Sequence, residues 1–501
     1  MAPGLEKEIG KSKPRSTRLY SAIALFFLAM AILSQFRLTG VDPHSVRPGS
    51  LEDFSAYHAT RQLNIVLIVI DTLRADRLGT YGYSRPTSPH MDALAERGIR
   101  FARVEAQSSW TKASMASLWT SLYPERTGIH RFQHALPDSI TLPAERLRDA
   151  GYRTVGIWRN GWVAPLFGTG QGFDRYLLPV PSPKTVNMHR THLSSSGLGG
   201  TDLDATRSAL EFLRAAGPAP FLLYIHYMDV HQYVSADTSP VFGLDLSDFY
   251  DSAIAWTDQN VGMLVEGLAR ADLLNNTLIV IASDHGEAFG EHGIEGHARM
   301  LYRETQHTPL IIALPMAMPS GIVVEEPVAN IDLWPTLFEW TGIAHSDAVD
   351  GRSLTPLIRQ AAGFPNEEAA GFRERVLLSQ LDQSWGSRDR EPEPLVAGLF
   401  EGHRFVWHRW EPEQFELYDL KNDPEERRNL ARAQPRRVAA IRDRIRKLLE
   451  AKAPIEPALE VEVKAGQMAE LRALGYVLPG PDPHPNPDDP VEAKEIESIS
   501  P

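Results

Sequence analysis

The stretch Asn64–Thr72, NIVLIVIDT, decides the fold. From Asn64 to Ile70 it shows no polar alternation and is rich in β-branched side chains, the pattern of a parallel-sheet strand covered on both faces. A second such run, Leu278–Ala282 (LIVIA), leads into Ser283, Asp284, His285, Gly286 and Glu287. In an open α/β sheet, ligands gather outside the carboxyl ends of the strands. Asp71, Asp284 and His285 therefore converge on one place. Hard carboxylate oxygens with one imidazole suit a divalent cation such as Mg, Mn, Ca or Zn.

A third element belongs with these two. In SSWTKASMASLWTSLYP, Thr111 stands just before Lys112–Leu122, whose small and apolar residues read as a helix. The free N–H groups and dipole at a helix start favour an anion. A hydroxyl held there against a metal deprotonates more readily and becomes a usable nucleophile. Threonine is also a preferred N-cap, so plain capping is the competing reading of Thr111.

Composition bounds the rest. With 501 residues, 43% of them hydrophobic, the chain can bury a large core and has the length for two or more domains. A net charge of −13, with no basic cluster interleaved with aromatics, argues against a general nucleic-acid binder. The absence of cysteine excludes disulfides, leaving stability to packing and metal.

Lys7, Lys11, Lys13, Arg15 and Arg18 precede an apolar run, Leu19–Phe36, long enough to reach the lower limit of a membrane-spanning helix. No A-x-A cleavage site is evident, so the run reads as an uncleaved signal anchor rather than a signal peptide. The basic flank places residues 1–18 in the cytoplasm and the rest of the chain outside it, in the periplasm or at the cell surface. Residues 37–63, with Gly40, Pro43, Pro48 and Gly49, read as a linker. An α/β catalytic domain is expected over 64–360, its helices at Met91–Arg97, Ala144–Ala150, Thr206–Ala215 and Tyr250–Ala269. A smaller α+β subdomain follows over 361–478, with antiparallel strands in GLFEGHRFVWHRW and FELYDL and a charged helix at Ala439–Ala451. Residues 479–501, opening on PGPDPHPNPDDP, form a Pro-rich acidic tail with the composition of disorder.

Several blocks carry a family resemblance over roughly Asn64–Val477. These are NIVLIVIDTLRADRLGTYGYSRPTSPHMDALAERGIRF, ASDHGEAFGEHGIEGH, VANIDLWPTLFEWTGI followed by DGRSL, and ELYDLKNDPEERRNLA. Together and in this order they resemble the sulfatase family of the alkaline phosphatase superfamily. The resemblance implies a three-layer α/β sandwich with a mainly parallel sheet, and a hydrolase of sulfate or phosphate esters. The family motif Cys/Ser-x-Pro-Ser-Arg falls on Thr111, Lys112, Ala113, Ser114 and Met115 here. Without cysteine, formylglycine cannot arise from that residue. The family's second metal-binding aspartate is Thr72, and its lysine–histidine pair near Trp158 is replaced by Arg159 and Asn160.

Thr111 thus resembles the threonine nucleophiles of relatives that act on phosphorus esters, such as nucleotide pyrophosphatases and phosphoethanolamine transferases. On that resemblance Asp71, Thr111, Asp284 and His285 hold the cation. His231, after the strand-like run Phe221–Met228, and His297 fall where the family places substrate contacts, and His297 could protonate a leaving oxygen. An alternative set, Asp229, His231 and His297, would hold a second metal. Lys112, Asn160 and Asp229 are candidate substrate contacts, and His226, inside the strand, reads as structural. Two other functions stay open. One is a phosphoryl transferase acting on envelope lipid or glycan, the other a catalytically degenerate, membrane-anchored binding protein.

Overall fold

Both hydrophobic runs form strands, and they pair with each other at the centre of an eight-stranded sheet. Its strands are Asn64–Ile70 (β1), Ile99–Phe101 (β2), Arg153–Ile157 (β3), Arg175–Leu177 (β4), Phe221–Tyr227 (β5), Thr277–Ala282 (β6), Leu310–Ala313 (β7) and Ile322–Val324 (β8). Their spatial order is β8-β2-β7-β6-β1-β5-β3-β4. β1 is parallel to both β6 and β5, and β7 alone runs against its neighbours. The structure is a computed structural model. It describes residues 46–181, 188–190, 200–344, 348–387, 389–410, 414–450 and 454–473.

Alternate residues of the central strands feed two separate cores. Ile65, Leu67 and Val69 of β1 pack on one face with Met115, Leu118 and Trp119, and with Trp334, Leu337 and Phe338. Val66, Ile68 and Ile70 pack on the other with Met91 and Leu94, Ala205 and Ala209, and Tyr250, Ile254 and Val261. These contacts come from helices Pro89–Glu96 (α2), Thr111–Thr120 (α3), Asp202–Arg214 (α5), Leu246–Arg270 (α6) and Leu333–Thr341 (α7), and helix Pro143–Asp149 (α4) adds Ala144 and Leu147 to the first face. The result is the three-layer sandwich expected, with strands apolar on both sides because helices cover both sides.

Residues 37–63 were expected to be a linker, but the described part contains helix Leu51–His58 (α1). It is capped by reciprocal hydrogen bonds between Ser50 and Asp53, and Phe54 is buried edge-on against Trp340 at 5.1 Å. The capping pair and two buried apolar residues outweigh the helix-breaking composition upstream. From Val46 onward the chain forms one compact unit, so the expected subdomains are packed together. The anchor at 19–36 and the tail at 479–501 lie outside the described residues. Among the described residues no helix is long and apolar enough to cross a membrane.

The C-terminal part has its own antiparallel sheet, Leu377–Asp382 (β9), Pro394–Phe400 (β10), His403–His408 (β11) and Gln414–Asp419 (β12), backed by helix Pro435–Glu450 (α8) through Ile441 and Ile445. A buried ion network ties this sheet to the sandwich. Arg404 of β11 bonds Glu105 at 2.9 Å and pairs with Glu426. Replacing Arg404 with Met should strand two buried carboxylates and lower stability by about 3–5 kcal/mol. Chemical denaturation checks this, and a loss under about 1 kcal/mol would show the network to be idle.

Candidate active site

The register of the sheet assembles the site. Val69 lies opposite both Ala282 of β6 and His226 of β5, so Asp71 and Asp284 emerge at one level. The chain leaves β1 through Thr72, whose φ of +60° places a β-branched residue in the left-handed region. That turn is held by Tyr250, whose hydroxyl donates to the Thr72 carbonyl (2.6 Å) and accepts from the Arg74 N–H (2.9 Å). It aims the Thr72 N–H at Asp284 Oδ1 (3.2 Å), which also accepts the His285 N–H (2.9 Å).

Each of the two aspartates is therefore half engaged. Asp71 Oδ2 accepts from Asn160 Nδ2 (2.6 Å) and His226 Nε2 (3.0 Å), while Asp71 Oδ1 and Asp284 Oδ2 are fully buried without a hydrogen-bond donor. Ligand atoms of Asp71, Asp284 and His285 lie within 4.8 Å of one another. His285 Nδ1 faces the Gly286 carbonyl at 3.0 Å. A carbonyl only accepts, so Nδ1 carries the hydrogen and Nε2 presents a lone pair. Two orphaned carboxylate oxygens and one aimed imidazole nitrogen fit a divalent cation.

Thr111 opens α3, every residue of which is buried. The helix's N-cap is Trp110, without a side-chain cap, so Thr111 is not serving as the cap residue. Its Oγ1 lies 3.1 Å from His285 Nε2 and 3.3 Å from Asn160 Nδ2. The orientation of the Asn160 amide follows from its oxygen, which accepts the Trp162 N–H at 2.8 Å. Asn160 thus bridges the first aspartate and the threonine.

A histidine cluster lies alongside. His297 stacks on His285 with ring centroids 4.7 Å apart, and His231 meets His297 at 4.9 Å. His297 Nδ1 faces Glu287 Oε1 at 3.1 Å. Burial alone would lower the His297 pKa, but Glu287 outweighs it and raises the value. His231 goes the other way, pushed down to about 4 chiefly by burial. One imidazole is thus biased toward the charged form and its neighbour toward the neutral form. For Asp71, burial opposes ionisation, yet His231, His226 and His285 together hold the carboxyl well below its usual range. Asp284 is pushed up, by burial first and then by Asp71.

Two expected substrate contacts are placed elsewhere. The Lys112 ammonium donates to the Phe132 carbonyl (2.6 Å) and sits 3.6 Å over the Phe167 ring, and burial drives its pKa well down. Asp229 is saturated by Arg159 (2.7 Å), the Trp256 indole N–H (2.9 Å) and the Asp202 N–H (2.9 Å). That network is buried because Arg159, where the family has its lysine, turns to Asp202 and Asp229. Sequence reasoning missed His226, whose Nε2 supports Asp71 and whose Nδ1 meets the Tyr224 hydroxyl at 2.7 Å. The signal was its position near the end of β5, since side chains there point at the same crevice. Glu287 was also overlooked as the partner of His297.

Comparison with known proteins gives the family and the fold. The Sulfatase family profile matches residues 63–343, and the profile described as N-sulphoglucosamine sulphohydrolase, C-terminal, matches residues 290–453. An ulvan-active sulfatase of Formosa agariphila is 26% identical over 342 residues, covering 61% of this chain and 67% of that protein. An N-acetylglucosamine-6-O-sulfatase of Bacteroides thetaiotaomicron is 28% identical over 483 residues, covering 74% and 83%. The solved phosphonate monoester hydrolase of Agrobacterium radiobacter shares the fold with a TM-score of 0.64 at 19% identity, covering 81% of this chain and 99% of that one. With the family profile matched over more than half its length, the chain belongs to the sulfatase family.

Proposed function

We propose that the protein is a metal-dependent hydrolase of sulfate or phosphate esters in which Thr111 is the nucleophile. The observation that carries this is Thr111 Oγ1 at the start of a buried helix, 3.1 Å from His285 Nε2 and beside two aspartates with orphaned oxygens. The relatives named for ulvan and N-acetylglucosamine 6-O-sulfate support an ester of sulfuric type, and the phosphonate hydrolase shows that the fold also serves phosphorus.

Asp71, Asp284, His285 and Thr111 would hold the cation, which supplies charge neutralisation for the transferred oxygens and a lowered pKa for the hydroxyl. Asn160 holds Thr111 in place through its amide, whose two N–H groups are directed at Asp71 Oδ2 and Thr111 Oγ1. Thr111, its hydroxyl proton released to solvent beforehand, attacks through Oγ1 to form a threonine ester; the bond to the leaving oxygen breaks and that oxygen takes a proton from His297, beside which Glu287 favours the charged form. His297, now neutral, then draws a proton from the water that opens the ester. Threonine lacks the second hydroxyl with which a hydrated aldehyde expels sulfate. Release by attack of water at the transferred group suits phosphoryl transfer, where positioning and charge stabilisation dominate. The intact set of Asp71, Asp284, His285 and His297 speaks against a degenerate binding protein.

Attachment through the basic flank and apolar run at Leu19–Phe36, with the catalytic domain outside the cytoplasm, is part of the same proposal.

Thr111→Ala should fold normally and lose activity by roughly 10⁴-fold or more, whereas Thr111→Ser should keep part of it. Aryl sulfate, phosphate monoester and phosphodiester substrates make the assay. Normal turnover by Thr111→Ala would end the nucleophile assignment. Good cleavage of the sulfate with both phosphorus esters inert would end the preference for phosphorus.

Chelation should abolish turnover and lower thermal stability together, by about 3 kcal/mol if the cation is present at a hundredfold excess over its Kd. Asp284→Asn should do the same without chelator, and its stability should no longer respond to added Mn, Ca, Mg or Zn. Full activity in excess chelator would remove the cation from the mechanism.

A further inference from the structure

We infer that Trp385, on the loop after β9 of the C-terminal sheet, is a positioning residue that fixes His297 relative to Thr111. The inference rests on the proposed reaction, in which His297 protonates the leaving oxygen. Three contacts carry it. The Trp385 indole N–H donates to the Ala298 carbonyl at 3.0 Å, one residue beyond His297. The same indole stacks on Trp110, one residue before Thr111, with centroids 4.5 Å apart and planes 22° from parallel. The Ala298 N–H, which belongs to the peptide joining it to His297, donates to the Ser109 carbonyl at 2.8 Å. One side chain therefore touches the neighbours of both reacting groups, and the backbone bond closes the loop between them.

Ala298 shows that this hold is needed. Its φ of +57° is in the left-handed region, which alanine rarely adopts. Such a conformation persists only where the surroundings over-determine it. Here Ala298 is gripped at its N–H by Ser109 and at its carbonyl by Trp385.

The loop that delivers Trp385 is itself anchored. Arg131 pairs with Asp382 at 2.6 Å and donates to the carbonyls of Ser384 (3.0 Å), Ser387 (2.5 Å) and Arg390 (3.1 Å). The next residue, Phe132, donates its N–H to the Trp385 carbonyl at 3.1 Å. The hydrogen bond to a strained peptide beside His297 is what a phenylalanine could not supply.

Trp385→Phe keeps the ring on Trp110 and removes the donor. Its kcat on a phenyl ester, whose leaving oxygen needs a proton, should fall about tenfold, the worth of one hydrogen bond at a positioned group. On the 4-nitrophenyl ester the fall should be under about twofold, and KM should hold for both. His297→Ala should show the same leaving-group pattern more strongly, and the double variant should be no worse than His297→Ala alone. Arg131→Gln, which loosens the loop without touching either ring, should reproduce the pattern if Trp385→Phe does not fold. Equal losses on both esters, or no loss, would overturn the inference.

A second readout does not depend on turnover. The imidazole ¹⁵N and ¹H resonances of His297 should shift in Trp385→Phe and stay in place in the control Trp410→Phe. If no ester is cleaved by the unaltered protein, the proposed reaction fails. Unmoved His297 resonances in Trp385→Phe would by themselves dispose of the positioning role.

Discussion

Two fully buried carboxylates, Asp71 and Asp284, are forced into proximity by the parallel pairing of β1 with β6. Neither aspartate can retreat, because each grows from the end of a strand in the middle of the sheet. Everything around them compensates for that repulsion. His226 and Asn160 engage one oxygen of Asp71, and two backbone N–H groups engage one oxygen of Asp284. The remaining oxygens face each other's neighbourhood unsatisfied, an arrangement that makes sense for a protein built around a cation.

The helix carrying Thr111 follows from the same demand. The Thr111 hydroxyl meets His285 and Asn160 beside the carboxylates, and α3 is buried along its whole length, polar residues included. It is wedged between the sheet and an aromatic cluster that includes Trp110, Trp162 and Trp385. Lys112 shows how strict this packing is. A lysine one residue from Thr111 is folded away over an aromatic ring and tied to a carbonyl.

The fold and the clustering of Asp71, Asp284 and His285 were legible because both depend on local patterns. Unbroken β-branched runs announce covered parallel strands, and an acidic residue at the end of each names the crevice. The position of Thr111 beside that cluster was legible from its place at a helix start. The partners of Lys112 and Asp229 were not legible, because charge in sequence says nothing of what engages it. The Arg159 that saturates Asp229 is 70 residues away in the chain. His226 was set aside because it sits inside a strand, although the last residues of a central strand already face the crevice. The helix at Leu51–His58 was hidden by the prolines and glycines before it, whereas its own capping residues and Phe54 decide its structure. Contacts such as Trp385 with Ala298 join segments far apart in sequence and leave no periodic trace.

Thr72 has a consequence of a different kind. At φ +60° it costs about 1–2 kcal/mol compared with a residue at ease in that conformation. Glycine or asparagine would sit there more comfortably. A search for heat-resistant variants scored by survival alone would therefore be drawn to the pivot between β1 and the crevice, the place where a small backbone change would re-aim the Thr72 N–H away from Asp284.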